Sequence, residues 1–270
     1  MKKLVILLLL LLPAAAFGQA KLAGRASVEA DYKVLKGFHL NVEEEVRVED
    51  GLAGLGSLRT TLDASYKFNK YVKAGVGYTL INPYKDEWSN FNAPRHRLYA
   101  DVTGTLPLGD FQLFLKERLQ FTHRTGDFNV YQTTPNALVL KSRLGVKYKR
   151  FKNFEPSLSF EIRTALNEPW GTIDDTAGLQ TKKSGDRAGE TYYKYTHTGY
   201  THLYNNRYRV NLGMDWKLAK HHTFAPYLLF DYCSDYVLDT NGEGTKLWSA
   251  TTGYVDVFRI SIGLGYKFSF

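Results

Sequence analysis

The sequence predicts an all-β fold, a transmembrane antiparallel up-and-down β-barrel of ten strands. The last seventeen residues, from Tyr254 to Phe270, alternate apolar and polar side chains without a turn residue, as in a lipid-facing barrel wall. Nine further stretches alternate in the same way, each long enough for the ~9–11 residues of a tilted membrane strand. The connections between them are short and long in turn, which is typical of outer-membrane barrels and is not expected of a soluble sandwich.

The N-terminus has the features of a secretory signal peptide. Lys2 and Lys3 precede the apolar run Leu4 to Leu12, and small residues follow Pro13. The run is too short to cross a bilayer, which takes ~20 apolar residues in a helix. We therefore expect residues 1–19 to be removed on export, residues 20–36 to form a periplasmic lead-in or an extra strand, and residues 37–270 to form the barrel.

The ten strands can be placed in order from the alternation. They are Phe38–Val48, Leu58–Phe68, Tyr71–Ile81, Arg95–Leu106, Phe111–Thr122, Ala137–Tyr148, Glu155–Leu166, Tyr204–Leu218, Thr223–Ser234 and Tyr254–Phe270. Tight turns are expected at 69–70, 107–110, 149–153 and 219–222, and long external loops at 50–57, 82–94, 123–136, 167–203 and 235–253. An even number of strands leaves both termini on the tight-turn side.

The segment Gly24–Val34 also alternates, but it does not fit a ten-stranded barrel. An eleventh strand would break the even count of bacterial barrels. The segment is therefore a lead-in, a plug in the lumen, or half of an additional pair that makes twelve strands. Glu190–Leu203 is the candidate for the other half.

Composition is consistent with a small exported barrel. The hydrophobic fraction of 44% and mean hydropathy of −0.32 resemble those of a soluble protein, because half of each barrel strand faces a polar lumen. Aromatic residues make up 14% of the chain, which suits girdles at both membrane interfaces. The single cysteine, Cys233, cannot form an internal disulfide. The net charge of +8 suggests anionic lipid headgroups or acidic solutes as partners, and export argues against nucleic acid.

Assigning the apolar face of each strand to lipid fills the lumen with charges of both signs. One interpretation is a ladder of ion pairs that closes the barrel, since buried charges are expected to be paired. The other is a narrow pore for small anionic solutes, because rings of basic side chains select anions. The predicted network consists of Glu43, Glu45, Arg47, Arg95, Arg97, Lys116, Arg118, Arg143, Glu161, Arg163, Arg207, Arg209 and Arg259.

Glu117 is an exception, since alternation directs it toward lipid. A carboxylate is costly on the lipid face, and a β-bulge near Phe114 would turn it inward.

Two other functions would use the external loops. A surface ligand-binding or adhesion barrel would use aromatic side chains for stacking, with Tyr192, Tyr193, Tyr195, Tyr200 and Trp88 as candidates. A barrel hydrolase or acyltransferase would pair a carboxylate with an imidazole at the external rim, with Asp231, Asp235, His197 and His202 as candidates. The sequence contains no nucleophile elbow or metal-spaced His/Cys set, so we predict no catalytic residues, metal or cofactor.

Five short blocks carry a resemblance to a known family: 43–47 (EEEVR), 95–99 (RHRLY), 116–119 (KERL), 161–163 (EIR) and 206–213 (NRYRVNLG). They resemble a family of outer-membrane barrels of unknown function that is common in Bacteroidetes-type Gram-negative bacteria. The resemblance implies an outer-membrane location and supplies no activity or substrate. The C-terminal aromatics Tyr266, Phe268 and Phe270 also resemble the signal read by the barrel-assembly machinery. We therefore expect that machinery and outer-membrane lipids as partners.

Overall fold

The computed structural model describes residues 20–85, 90–174, 176, 178–240, 244–248 and 253–270. The predicted signal peptide lies outside this part of the chain. The described elements are one 3₁₀ helix, Asp50–Leu52, and fourteen strands: β1 Lys21–Leu35, β2 Phe38–Glu49, β3 Gly54–Lys67, β4 Val72–Lys85, β5 Asn90–Phe91, β6 Arg95–Leu108, β7 Phe111–Arg124, β8 Asn136–Tyr148, β9 Phe154–Asp174, β10 Gln180–Thr181, β11 Thr191–Ala219, β12 His222–Val237, β13 Lys246–Trp248 and β14 Gly253–Ser269.

Eleven of these strands form a closed barrel, which confirms the predicted all-β transmembrane fold. The order around the wall is β1-β2-β3-β4-β6-β7-β8-β9-β11-β12-β14, and β14 returns to β1. The ten predicted strands are all present. Two of them, β9 and β11, continue well past their predicted ends into the longest external connection.

The wall has one strand more than predicted, because the segment that includes Gly24–Val34 is strand β1. This strand runs antiparallel to β2 and parallel to β14, with Lys21 opposite Arg259 and Asp31 opposite Ser269. A ring of purely antiparallel strands needs an even number, and one parallel pair allows an odd number to close. Glu190–Leu203 is not a separate strand but lies almost wholly within the outer part of β11.

The extra strand changes the side on which the described chain begins. Tight turns connect β1 to β2, β3 to β4, β6 to β7, β8 to β9 and β11 to β12, and Phe270 lies at this turn side beside Asp31, whose carbonyl accepts its N–H at 2.9 Å. Lys21 lies at the opposite, long-loop side, because β1 runs from there toward its tight turn with β2. The expectation that both termini share the turn side is therefore wrong.

Alternation sorts the side chains of the wall between two faces. Large apolar residues such as Leu62, Val76, Leu98 and Leu144 are exposed on the outer surface, where a bilayer removes them from water. Their neighbours along each strand point inward and are mostly polar, so the barrel interior holds charges instead of an apolar core. None of the described helices is long and apolar enough to cross a membrane.

Two glutamates remain on the apolar outer face. Strand β7 keeps an unbroken register with both neighbours, so no bulge turns Glu117 inward; its carboxylate instead accepts a hydrogen bond of 2.6 Å from Ser142 Oγ. Glu44 on β2 accepts a similar bond of 3.0 Å from Thr60 Oγ1. A hydrogen bond from a hydroxyl on the adjacent strand thus offsets part of the free-energy cost of placing each carboxylate on the apolar face.

Candidate functional site

A polar cavity of about 580 Å³ occupies the barrel interior. Eleven lysines and arginines and seven aspartates and glutamates line it, so the side chains facing the cavity carry an excess of positive charge. Alternation on strands from all around the wall directs these residues inward, and this arrangement is the candidate site.

Part of this charge is paired, and single carboxylates serve several cations. Glu161 on β9 lies 2.7 Å from Arg143 Nη2 and 2.8 Å from Arg207 Nη2, and Arg209 Nη1 lies 3.9 Å from it. Asp101 on β6 similarly contacts both Lys116, at 3.1 Å, and Arg118, at 2.7 Å. Because each carboxylate is shared, these contacts leave a net positive charge around it.

Four cations stand in direct cross-strand register on four adjacent strands. Arg118 on β7 lies opposite Lys141 on β8, Lys141 lies opposite Arg163 on β9, and Arg163 lies opposite Arg207 on β11. We call these four residues the basic row. Like charges directly opposite one another destabilise a sheet, so this row has an energetic cost in the absence of an anion.

Several lumen cations have no carboxylate partner. In the described ranges, no carboxylate oxygen lies within 4.0 Å of a charged nitrogen of Arg25, Arg97, Lys141 or Arg163. The Nε of Arg97 donates instead to the neutral hydroxyl of Thr122 at 3.2 Å. Arg25 faces Arg47 in register. These four cations therefore have no carboxylate counter-ion among the described residues.

The remaining predicted network residues lie on the inner face or at its rim. Glu45 pairs with Arg47 at 2.5 Å, and Glu43 lies opposite Glu29 of β1. Arg95 lies opposite Arg124 at the long-loop rim, and Arg259 lies opposite Asp231. Eight of the thirteen predicted residues therefore form ion pairs around Glu161, Asp101, Asp231 and Glu45. Within the described ranges, no oppositely charged group lies within 4.0 Å of the other five, which are Glu43, Arg95, Arg97, Arg163 and Arg259.

Sequence reasoning missed the contribution of β1 to the lumen. Arg25, Glu29 and Asp31 line the cavity, and Lys267 bridges Glu29 at 2.6 Å and Asp31 at 3.0 Å. The signal was present, because the apolar residues of this segment occupy even positions and these three occupy odd ones. The interpretation of this segment as a lead-in hides the signal, because a lead-in has no inner face.

Segment 192–204, which contains four of the five aromatic candidates for surface binding, is mostly folded into an external cap. We define this cap as the outer parts of β9 and β11 together with β10, β13 and loop 125–135. Tyr195 and Tyr192 are buried, the first against Leu238 and Leu247 and the second against Trp248. Burial raises the pKa of Tyr195 to about 12. These two rings are therefore not exposed to an external ligand.

The other candidates for surface binding are placed differently. Tyr193 is half-buried, and Tyr200 donates a hydrogen bond of 3.2 Å to the carbonyl of Val130 in loop 125–135. Trp88 lies outside the described residues. Of the four candidates that the structure describes, Tyr193 and Tyr200 therefore retain partly exposed rings in the cap.

The rim carboxylates and histidines do not form a dyad. Asp231 accepts two hydrogen bonds from Arg209, at 2.5 and 2.7 Å, and Asp235 accepts one from Asn206 at 3.3 Å. His202 lies in an aromatic cluster instead, with its ring 4.3 Å from Trp170, and burial lowers its pKa.

His197 contacts two tyrosine rings, Tyr131 at 5.4 Å and Tyr200 at 5.1 Å. In the part of the chain that is described, no group of three His, Cys, Asp or Glu residues could hold a metal ion.

Two further predicted features lie on β12 and β14. Cys233, a free and half-buried thiol, faces the lumen opposite Arg207. The C-terminal aromatics Tyr266 and Phe268 follow the outward parity of β14, and the ring of Phe270 packs 4.6 Å from that of Phe268. Recognition of these aromatics by an assembly machinery stays a prediction.

Comparison with known proteins identifies the family. A family model described as "Protein of unknown function (DUF2490)" matches residues 26–269. The chain belongs to this family. The match begins within β1 and ends with β14, so the DUF2490 region includes most of β1 and the other ten strands of the wall. The comparison with curated proteins gave no match.

Among solved structures, the chain is similar to one described as "Outer-membrane expressed OmpT of Vibrio cholerae". The two share 11% sequence identity with a TM-score of 0.34, and the alignment covers 86% of this chain. This DUF2490 chain spans 61% of the length of that protein.

Proposed function

We propose that this DUF2490 barrel lies in the outer membrane and forms a narrow passage for small anionic solutes. The observation that carries the proposal is the basic row, in which four inward-facing cations stand in register. Two of them, Lys141 and Arg163, have no carboxylate within ion-pair distance in the part of the chain that the structure describes. An anion in the lumen would relieve the repulsion between these side chains.

The chemistry of the row favours oxyanions. A guanidinium group donates two parallel hydrogen bonds to a carboxylate or phosphate, and rings of basic residues are a known basis of anion selectivity. Arg97 faces the same cavity with only a neutral hydrogen-bond partner. A closed ladder of ion pairs accounts for the cations around Glu161 and Asp101 but provides no partner for these others.

The native cysteine provides a test, because Cys233 is the only cysteine and lies opposite Arg207. We would measure its labelling in the folded, membrane-reconstituted protein with a negatively charged and a positively charged methanethiosulfonate of similar size. Attraction by the basic row should make the anionic reagent react faster, and Lys141→Gln/Arg163→Gln should reduce that preference. Lys70→Gln/Lys152→Gln in the tight turns removes the same charge outside the cavity lining and should preserve it.

Two results would contradict the proposal. One is a faster reaction with the cationic reagent, and the other is an anionic preference that Lys141→Gln/Arg163→Gln leaves unchanged. Cys233→Ser provides the baseline for labelling. Heat-dependent mobility on a gel would verify that each variant is folded.

A further inference from the structure

The turn side of the barrel carries a dense collar of basic side chains. Segments 33–36, 67–73, 149–152 and 217–220 contain ten lysines and arginines, no aspartate or glutamate, and all ten cationic residues are exposed. We call these ten residues the lysine collar. The whole chain has a net charge of only +8, so the remainder of the molecule is slightly acidic and the charge is concentrated at this side.

Most of the collar has no carboxylate partner. Lys149 and Lys217 both contact Glu155, and Arg150 lies 3.8 Å from Asp110. The other seven members form no ion pair within the described residues, although Lys70 Nζ lies 4.9 Å from the centre of the Tyr71 ring. Structural pairing within the barrel therefore does not explain the collar.

An aromatic girdle lies at the same level on the outer face. Tyr66 and Phe68 pack with ring centres 5.0 Å apart, and Phe151 packs against Tyr148 at 5.3 Å and Phe154 at 5.8 Å. Such girdles mark the headgroup level of the bilayer. Alternation directs Lys67 away from Tyr66 and Phe68, and Lys73 lines the cavity. The exposed turn residues Lys70, Lys152 and Lys220 lie beyond the strand ends at this side, where their long side chains can reach the headgroup layer.

We infer that the lysine collar binds anionic phospholipid headgroups of the leaflet at the turn side. Three observations carry this inference: the position of the collar at an aromatic girdle, its exposure, and the absence of an ion pair for seven of its ten members among the described residues. Basic residues beside a membrane span attract anionic lipids over a distance set by the Debye length. The inference does not depend on whether the lumen conducts anions.

The fluorescence of Trp216 can report which lipids are in contact with the collar. Trp216 is exposed on the outer face of β11 and immediately precedes Lys217. With Trp88, Trp170 and Trp248 replaced by phenylalanine, Trp216 would be the only tryptophan. We would reconstitute this protein into phosphatidylcholine vesicles that contain either brominated phosphatidylglycerol or brominated phosphatidylcholine at equal mole fraction, and compare the fluorescence quenching.

We expect quenching by the brominated phosphatidylglycerol to be at least twofold stronger, and about 0.5 M salt to abolish the difference. The variant Lys70→Gln/Lys152→Gln/Lys220→Gln should bring the two lipids to equal quenching, while Lys182→Gln/Lys183→Gln on the long-loop side should change nothing. Equal quenching in the protein with an intact collar would overturn the inference. So would a preference that survives in the collar variant, because the lipid would then be recognised elsewhere.

Discussion

Arg209 and Asp231 form a bidentate ion pair between β11 and β12. The Arg209 Nε lies 2.5 Å from Asp231 Oδ1, and its Nη2 lies 2.7 Å from Oδ2. Both side chains are almost fully buried, with 8% and 1% of their surfaces exposed. Arg209 Nη1 also lies 3.9 Å from Glu161, and the same carboxylate pairs with Arg207. The Arg209–Asp231 pair is therefore linked through Glu161 to Arg207, the last residue of the basic row.

Breaking this pair should destabilise the barrel strongly. Arg209→Leu leaves the Asp231 carboxylate buried without a partner, which typically costs about 3–5 kcal/mol. We expect a correspondingly lower urea midpoint in detergent or vesicles. Arg209→Leu/Asp231→Leu removes both charges and should recover most of the loss. If the single variant were as stable as the parent, the pair would not hold β11 to β12.

The ring of Tyr227 on β12 covers Gly263 on β14. A Cβ placed on Gly263 would approach the Tyr227 ring to 2.0 Å. Gly263→Ala should therefore cost about 1–3 kcal/mol through overpacking. Tyr227→Ala in the same chain should remove that cost. Gly104→Ala is the matched control, because the nearest atom to its Cβ would be 3.9 Å away.

The parallel pairing of β1 with β14 can be trapped covalently. Ala23 and Ser261 are register partners on the inner face, and adjacent strands bring Cα atoms within the range that a disulfide spans. In a Cys233→Ser background, Ala23→Cys/Ser261→Cys should oxidise to a bridge that mass spectrometry detects. Ala23→Cys/Ser269→Cys, placed eight residues further along β14, should not. Absence of the first bridge would contradict the parallel pairing and would favour a periplasmic lead-in for residues 20–36.

The external cap should loosen in acid. Burial holds the pKa of His202 below its ordinary value of 6.5, so the folded cap keeps the ring neutral while an unfolded chain protonates it. Stability is therefore lost as pH falls through about 6.5. Limited proteolysis of the cap should accelerate between about pH 7.5 and about pH 5. His202→Phe should reduce the dependence of the proteolysis rate on pH. If the dependence were unchanged in this variant, a group other than His202 would be responsible for it.

The wall of the barrel could be predicted from sequence because side-chain alternation is a local property. Strands such as Phe111–Arg124 and Asn136–Tyr148 alternate along their whole length, so their existence and inner face followed directly. Strand β1 alternates too, but its place depends on parallel pairing with the opposite end of the chain, which no local pattern encodes.

The cap and the alignment of the basic row could not be predicted from the alternation of side chains alone. The outer parts of β9 and β11 carry polar and aromatic residues on both faces, so their sequence predicts a loop. The inward direction of Arg118, Arg163 and Arg207 was predictable, but their alignment was not. It follows from the cross-strand register, which turns and bulges such as the one between Asn205 and Arg207 determine.

The central claim is that unpaired cations make the lumen an anion path. The most direct measurement is the reversal potential of single channels of the refolded mature chain in a planar bilayer with a salt gradient. Arg97 and Lys141 line the cavity without carboxylate partners. Anion-selective conductance that Arg97→Gln/Lys141→Gln weakens is the predicted result. Cation selectivity, or no conductance from folded protein, would contradict it.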